Sequence, residues 1–390
     1  MGERVVITGL GVVSGAGRGK DAFFKSCSDG ASGIRKCTLF PTDGLTTEFF
    51  GEVTGDLPPL AVKPTGESRV RALMRIALEE TLRDSGLDSA TIGGYGPDAW
   101  LCFGTLVAII DGIASWAAGE GELEHVNDYL SWLRALSGVK GGTWVSSAAC
   151  AAGTTAAGMA FEFIRNGLCR LCVVGGADPL TTAAAVGFHT LKSLSGGVCN
   201  PWDEARDGIN IGEGAAFFIF EELESARARG AHLYGEVLGC GLANDAYHIT
   251  APDPEGVAVV HAMREAIREA GVSPEDVDHI NGHGTGTVAN DQMEINAINA
   301  LFGPAKKPCV TSTKAITGHC MGASGAIELA ALLLAIENQV YMPLPNLGRP
   351  IDAGGKLDSR PRACEIRYAL SNSFAFAGNI ASILVGRVAE

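Results

Sequence analysis

Cys150 stands in 143-TWVSSAACAAGTTAAGMAFEFI-164, a run of Ala, Gly, Ser and Thr that offers little apolar area to bury. Close approach of another helix, or room for a substrate, explains such a run better than hydrophobic packing does. A helix starting at or just before Cys150 would aim unpaired N–H groups and the positive end of its dipole at the sulfur. That favours thiolate over thiol and makes the sulfur a nucleophile. A lone cysteine in an Ala/Gly-rich helix is nevertheless more often packing, so partners must decide. Two histidines are placed to be partners. His283 lies in 281-NGHGTGT-287, just after an apolar strand, with glycines for tight turns and threonine hydroxyls for a polar ligand. His319 lies in 317-TGHCMGASG-325, again between a strand and a small-residue helix. Alone, the first reads equally well as an exposed turn and the second as a cap at a helix contact. Lys314 precedes His319 by five residues and Glu328 follows it by nine, a spacing that allows an ion pair behind that histidine.

The elements that must carry these residues occur twice. The segment 77-ALEETLRDSGL-87 reads like 262-AMREAIREAGV-272, each with apolar residues at helical spacing, a charged outer face and a Gly at the stop. After the first come strand-like stretches at 100–108 and 144–148 and the helix near Cys150. After the second come 277-VDHINGHG-284, 309-CVTSTK-314 and the helix 321-MGASGAIELAALLLAIEN-338. This alternation predicts a duplicated α/β architecture with mostly parallel central strands, divided at 1–235 and 236–390. Sites in open α/β sheets form outside the carboxyl ends of strands, where all three residues fall.

Composition narrows the function classes. The chain has 390 residues, 46% of them hydrophobic, enough for a large core. The longest apolar run, 329-LAALLLAI-336, is shorter than the roughly 18 residues of a membrane span, so no transmembrane helix is expected. VVITGLGVVS near the N-terminus reads as a buried strand rather than a signal peptide, which predicts a cytoplasmic protein. The 11 cysteines are scattered, so reduced thiols are expected, and 169-CRLC-172, with no second CxxC, reads as core packing. A net charge of −14 argues against broad nucleic-acid or anionic-membrane binding.

Taken in order, VVITGLGVVS, SSAACAAG, 201-PWDEARDGINIGEGAA-216, 244-NDAYHITAPDPEG-256, NGHGTGT, STKAITGHCMGASGAIE and 371-SNSFAFAG-378 span nearly the whole chain. The sequence resembles the β-ketoacyl-[acyl carrier protein] synthases of the thiolase superfamily, in particular the elongating condensing enzymes. The resemblance implies a five-layered α-β-α-β-α fold and a dimer, homodimeric or paired with a related subunit. It implies that Cys150 accepts the acyl group, that His283 and His319 are the paired active-site histidines, and that Lys314 and Glu328 are their supporting charges. Phe374 and Phe376 then belong to the gate, with the N–H groups of Cys150 and Phe376 as oxyanion donors, and Thr285 and Thr287 hold the pantetheine arm. Acyl- and malonyl-loaded carrier proteins are the implied partners, and the chemistry requires no metal or organic cofactor. Because such carriers are acidic, basic residues at the cleft mouth are expected to dock them: Arg69, Arg71 and Arg75 of 67-ESRVRALMRIALEE-80, and Lys192.

Two stretches depart from the family pattern. The gate usually reads GFGGTN, and 375-AFAGNI-380 has Ala375, Ala377 and Ile380 in place of Gly, Gly and Asn, which narrows the loop's backbone freedom. The segment before Cys150 is shorter than usual, and 117-AAGEGELEHVNDYLSWLRALSG-138 does not follow the pattern. Chain length, pathway and partner subunit therefore stay open. A coenzyme A-dependent thiolase or initiating synthase usually replaces one of the two histidines. A non-catalytic chain-length partner usually lacks the cysteine. Both fit these residues less well than an elongating ketosynthase.

Overall fold

The computed structural model describes residues 2–60, 67–117, 119, 123–303 and 307–389. Ten strands dominate it: β1 (Val5–Ser14), β2 (Ala99–Gly104), β3 (Thr143–Ser146), β4 (Leu171–Asp178) and β5 (Gly214–Glu222), then β6 (Gly235–Asn244), β7 (His279–Asn281), β8 (Cys309–Thr311), β9 (Tyr368–Phe374) and β10 (Asn379–Gly386). The first five run in the order β1-β5-β4-β2-β3 and the second five in the order β6-β10-β9-β7-β8, so each half repeats the other's topology. The halves join edge to edge where Val5–Ile7 of β1 pairs antiparallel with Gly235–Val237 of β6. β1 is buried at every residue, as its β-branched run predicts.

Five helices complete the layers: α1 (Arg69–Ser85), α2 (Ala152–Arg165), α3 (Val257–Ala270), α4 (Val288–Phe302) and α5 (Ser324–Asn338). α1 covers β1 and β5 on one outer face; α3 covers β6 and β10 on the other, with α4 packed beside it. α2 and α5 lie between the two halves of the sheet, which gives the five-layered α-β-α-β-α arrangement. The echo between residues 77–87 and 262–272 is an echo of place: α1 and α3 are the outer helices, each closed by a left-handed glycine, Gly86 and Gly271. The stretch Met321–Asn338 is apolar and long enough to cross a membrane by composition, yet 89% of it is buried as the middle layer of this fold.

Parallel pairing is confined to the outer ends of the sheet, among β2, β3 and β4 and among β7, β8 and β9. The central pairs β4–β5, β5–β1, β1–β6, β6–β10 and β10–β9 are antiparallel, which corrects the expectation of mostly parallel central strands. β4 and β5 are joined by a long excursion, residues 179–213, that stays at one end of the sheet. No crossover is then needed and the chain returns antiparallel. Cys169 and Cys172 are packed in the core at the start of β4.

The small residues around Cys150 are accounted for where α2 meets α5. A side chain at Gly153 would come 2.7 Å from the Ala326 backbone N, and one at Gly325 2.6 Å from that of Thr154. The two helices approach backbone to backbone.

Candidate active site

Two pseudo-equivalent turns begin the middle helices. A 3₁₀ turn, Ala149–Ala151, leads into α2, and another, Met321–Ala323, leads into α5. Each opens on a non-glycine residue with left-handed backbone, Ala149 at φ 47° and Met321 at φ 54°. Cys150 sits on the first turn; the second begins two residues after His319. Such conformations cost about 1–2 kcal/mol each and persist only where the surroundings hold them. Asp178, at the carboxyl end of β4, does part of that holding. Its carboxylate accepts Gly322 N–H (2.7 Å), Val107 N–H (2.8 Å) and Thr105 Oγ1–H (2.6 Å), while burial pushes its pKa up to about 6.

One cleft of about 220 Å³ is lined by Cys150, His283, His319, Thr285, Thr287, Phe374 and Phe376, among others. The three residues from distant strand-to-helix junctions thus share one wall. The His283 and His319 rings lie 5.4 Å apart, nearly perpendicular, and Phe374 lies 5.4 Å from His283. His319 Nδ1 accepts the Met321 backbone N–H at 3.1 Å, so its neutral ring carries the proton on Nε2. Ser324 Oγ also reaches that Nδ1, at 3.0 Å. His283 Nδ1 faces the Lys314 ammonium at 3.2 Å and must accept from it, which again leaves the proton on Nε2. Burial first, and the Lys314 charge second, hold both imidazoles well below the usual histidine range. Both are neutral N–H donors at pH 7.

Lys314 is buried and also donates to the His283 carbonyl (2.5 Å) and to Glu328. The Lys314–Glu328 pair therefore backs His283, not His319 as the spacing suggested. The short helical turn after β8, Lys314–Thr317, brings Lys314 under the NGHG turn, while the first turn of α5 serves His319. Glu328 Oε2 accepts from Ser373 Oγ at 3.5 Å, and burial raises the carboxyl.

Burial works against the thiolate expected at Cys150. Cys150 is 5% exposed, and burial pushes the thiol up to about 12 despite the opposing pull of Lys314. Desolvation of a charged sulfur outweighs one short turn of helix dipole.

Glu294 and Asp291, on α4, were not singled out from the sequence. Glu294 accepts the backbone N–H groups of His283 (2.7 Å) and Gly284 (2.8 Å), and burial pushes it up to about 7. Asp291 accepts Gly286 N–H (3.1 Å) and Trp202 N–H (2.7 Å) and thereby shapes the loop bearing Thr285 and Thr287, whose hydroxyls lie 2.9 Å apart. The available signal was two acids on the buried side of a helix directly after NGHGTGT. For Asp178 it was an acid ending an otherwise apolar strand.

In the gate, Ala375 is extended at φ −143°, which any residue adopts, whereas Ala377 is left-handed at φ 60°. Ala377 N–H donates to the Ile249 carbonyl (2.8 Å), and Asp245 N–H to that of Gly378 (3.0 Å). Phe376 stacks on Phe188 with centroids 5.7 Å apart, closing this side of the cleft.

Two basic residues of α1, Arg69 and Arg71, require correction. Arg69 is 4% exposed and bound to buried Glu213 through Nε (2.8 Å) and Nη2 (2.5 Å), with Nη2 also on the Val53 carbonyl. It is an internal tie, not a docking residue. Arg71 is committed to Glu124 (2.7 Å) and to the faces of Tyr129 and Trp132, because the helix Val126–Ser137 packs over it. Arg75 is paired with Glu67 (2.9 Å) and Glu79 (3.7 Å). Lys192 is exposed and adjoins Ser193 of the cleft wall. Of the segment 117–138, residues 118 and 120–122 lie outside the described residues.

The pattern described as "Beta-ketoacyl synthase, N-terminal domain" matches residues 2–226, and "Beta-ketoacyl synthase, C-terminal domain" matches residues 234–348. The chain is 34% identical to 3-oxoacyl-[acyl-carrier-protein] synthase 2 of Coxiella burnetii, over 99% of each chain. Among solved structures it is similar to the ishigamide ketosynthase/chain length factor (TM-score 0.88, 31% identity, 100% of each chain). It is equally similar to the ketosynthase complex AntDE:AntF, a type II polyketide acyl-carrier protein with its ketosynthase bound to the hexaketide (TM-score 0.88, 30% identity, 100% of each chain).

Proposed function

The chain belongs to the β-ketoacyl synthase family, and from that membership we propose a reaction path for this cleft. The protein is a β-ketoacyl-[acyl carrier protein] synthase, an acyltransferase that joins malonyl-carrier protein to an acyl group by decarboxylative Claisen condensation. Its partners are acyl carrier protein and a second subunit of the same family. In the path proposed, Cys150 Sγ bonds to the acyl carbonyl carbon of a loaded carrier, and the carrier leaves as a free thiol with the proton. Thr285 and Thr287 supply hydroxyls to the amides of the pantetheine arm. Malonyl-carrier protein follows, its C–CO2 bond breaks, and the electron pair passes into a thioester enolate.

Two neutral imidazoles, each with its proton on Nε2, are the observation that carries this reading: they supply paired N–H donors where the enolate charge develops. The enolate carbon then attacks the acyl-Cys150 carbonyl, the carbon–sulfur bond breaks, and 3-oxoacyl-carrier protein departs. Cys150 and Phe376 N–H groups serve as donors to the oxyanion of that step, with Phe376 and Phe374 gating it. The halves 1–235 and 236–390 divide the work, the first bringing the nucleophile and the second the histidines. A cytoplasmic location fits this role.

The subunit partner is either a second copy or a chain-length factor. Exposed Ile113 (38%) and Trp116 (52%), just before the segment that departs from the family pattern, and Leu123 (39%) within it favour a partner seated over that face.

Intact-mass analysis after incubation with acyl-carrier proteins of several chain lengths tests the reading. An acyl adduct is expected on the wild type and none on Cys150→Ala. Condensation retained by Cys150→Ala, with its fold intact, overturns the assignment.

A further inference from the structure

A third histidine, His248, lines the same cleft, and nothing in the reaction path above uses it. It differs from the other two in exposure and in how its ring is held. His283 and His319 are buried, whereas His248 lies exposed between Tyr247 (58% exposed) and Ile249 (71% exposed), at the open end of the cleft. Its Nδ1 accepts the backbone N–H groups of Thr250 (3.1 Å) and Ala251 (3.2 Å). Nε2 is left to donate, and among the described residues it has no protein partner. A ring oriented by two backbone donors is pre-organised to present N–H to something that is not part of the protein.

The charge balance of the cleft identifies the class of ligand. Among the described residues no Lys or Arg contributes to its wall, Asp245 does, and the chain as a whole carries a formal charge of −14. A carrier arm entering the cleft bears one anionic group along its length, the phosphodiester at the end farthest from the thioester. When the thioester reaches Cys150 at the buried end, that phosphodiester lies toward the open end. The oriented Nε2–H of His248 is a wall donor placed to meet it. Building on the ketosynthase reading, we infer that His248 Nε2 binds the phosphate of the phosphopantetheine arm, a contact separate from the hydroxyl pair Thr285 and Thr287.

The test compares two thioesters that differ only in this group, acyl-4′-phosphopantetheine and acyl-pantetheine, using the acyl chain that gives the strongest Cys150 adduct. The readout is the ratio of their acylation kcat/KM values. Wild type should favour the phosphorylated thioester about tenfold, the size of one charge-assisted hydrogen bond. His248→Asn keeps an acceptor for the Thr250 and Ala251 N–H groups but lacks the distal donor, and should abolish the preference. His248→Gln places an amide N–H near Nε2 and should keep part of it. Equal rates on the two thioesters in wild type, or an undiminished ratio in His248→Asn, overturn the inference while leaving the ketosynthase reading intact. Absence of an adduct from either thioester and from every acyl-carrier protein overturns the ketosynthase reading itself.

Discussion

Lys314→Met removes the ammonium that fixes the His283 tautomer, and its consequences divide into two parts with separate readouts. The first is catalytic. Without a donor at 3.2 Å from Nδ1, the His283 ring is free to carry its proton on Nδ1, and the cleft then loses one of its two Nε2–H donors. A preorganised donor to a developing oxyanion is worth about 3 kcal/mol, so malonyl-carrier decarboxylation should slow by about 10²-fold. Acyl adduct formation at Cys150, which precedes the enolate, should fall much less. The second part concerns stability. Lys314 and Glu328 are each about 1% exposed, and breaking a buried pair from one side costs about 3–5 kcal/mol. Lys314→Met/Glu328→Gln removes both charges and should recover most of that stability while remaining slow in decarboxylation. CO2 release from malonyl-carrier protein, intact-mass kinetics and urea unfolding on the single and double variants separate the two parts. A double variant that decarboxylates at the wild-type rate refutes the tautomer argument and reduces Lys314 to a counter-charge for Glu328.

Arg69→Ala should lower unfolding free energy by about 3–5 kcal/mol, because it strands Glu213 in the core, while any folded fraction keeps wild-type affinity for the carrier; denaturant melts and carrier titration check both. His279 gives a pH signature. It is buried with Nε2 on Thr311 Oγ1 at 2.8 Å, and burial lowers it to about 3. Below pH 6.5 the unfolded chain binds a proton that the native ring refuses, so its stability contribution falls as pH drops from 6.5 toward 3. Glu294 and Asp178, both raised, act in the opposite direction, so the signal lies in the difference between wild type and His279→Gln. The destabilisation by that substitution should shrink by about 3 kcal/mol between pH 7 and pH 4.5. Parallel stability–pH curves would contradict the burial argument.

Much of the architecture was legible before any coordinates. Helix periodicity with glycine stops placed α1 and α3, and the repeated order of strands and helices announced two similar halves. Those features are local, set by side-chain spacing and by where glycine ends a helix. The small-residue run around Cys150 signalled a close approach because only residues without bulk let α2 and α5 touch through their backbones. Strand direction was not local. The antiparallel centre depends on which end of the sheet residues 179–213 occupy, and no pattern within β4 or β5 records that.

At the site, residue types and junction positions alone nominated Cys150, His283 and His319, since strand-to-helix turns are where side chains and unpaired N–H groups converge. Tertiary structure decided what each group is. The Met321 N–H and the Lys314 ammonium set two tautomers, and enclosure by both halves raised the Cys150 thiol where a helix start alone would have lowered it. Lys314 went behind His283 rather than His319, and Arg69 went inward to Glu213, because each charge lies where the packed layers leave its one partner. Charge and proton position depend on solvent exclusion and on neighbours distant in sequence, and both exist only once the five layers have closed.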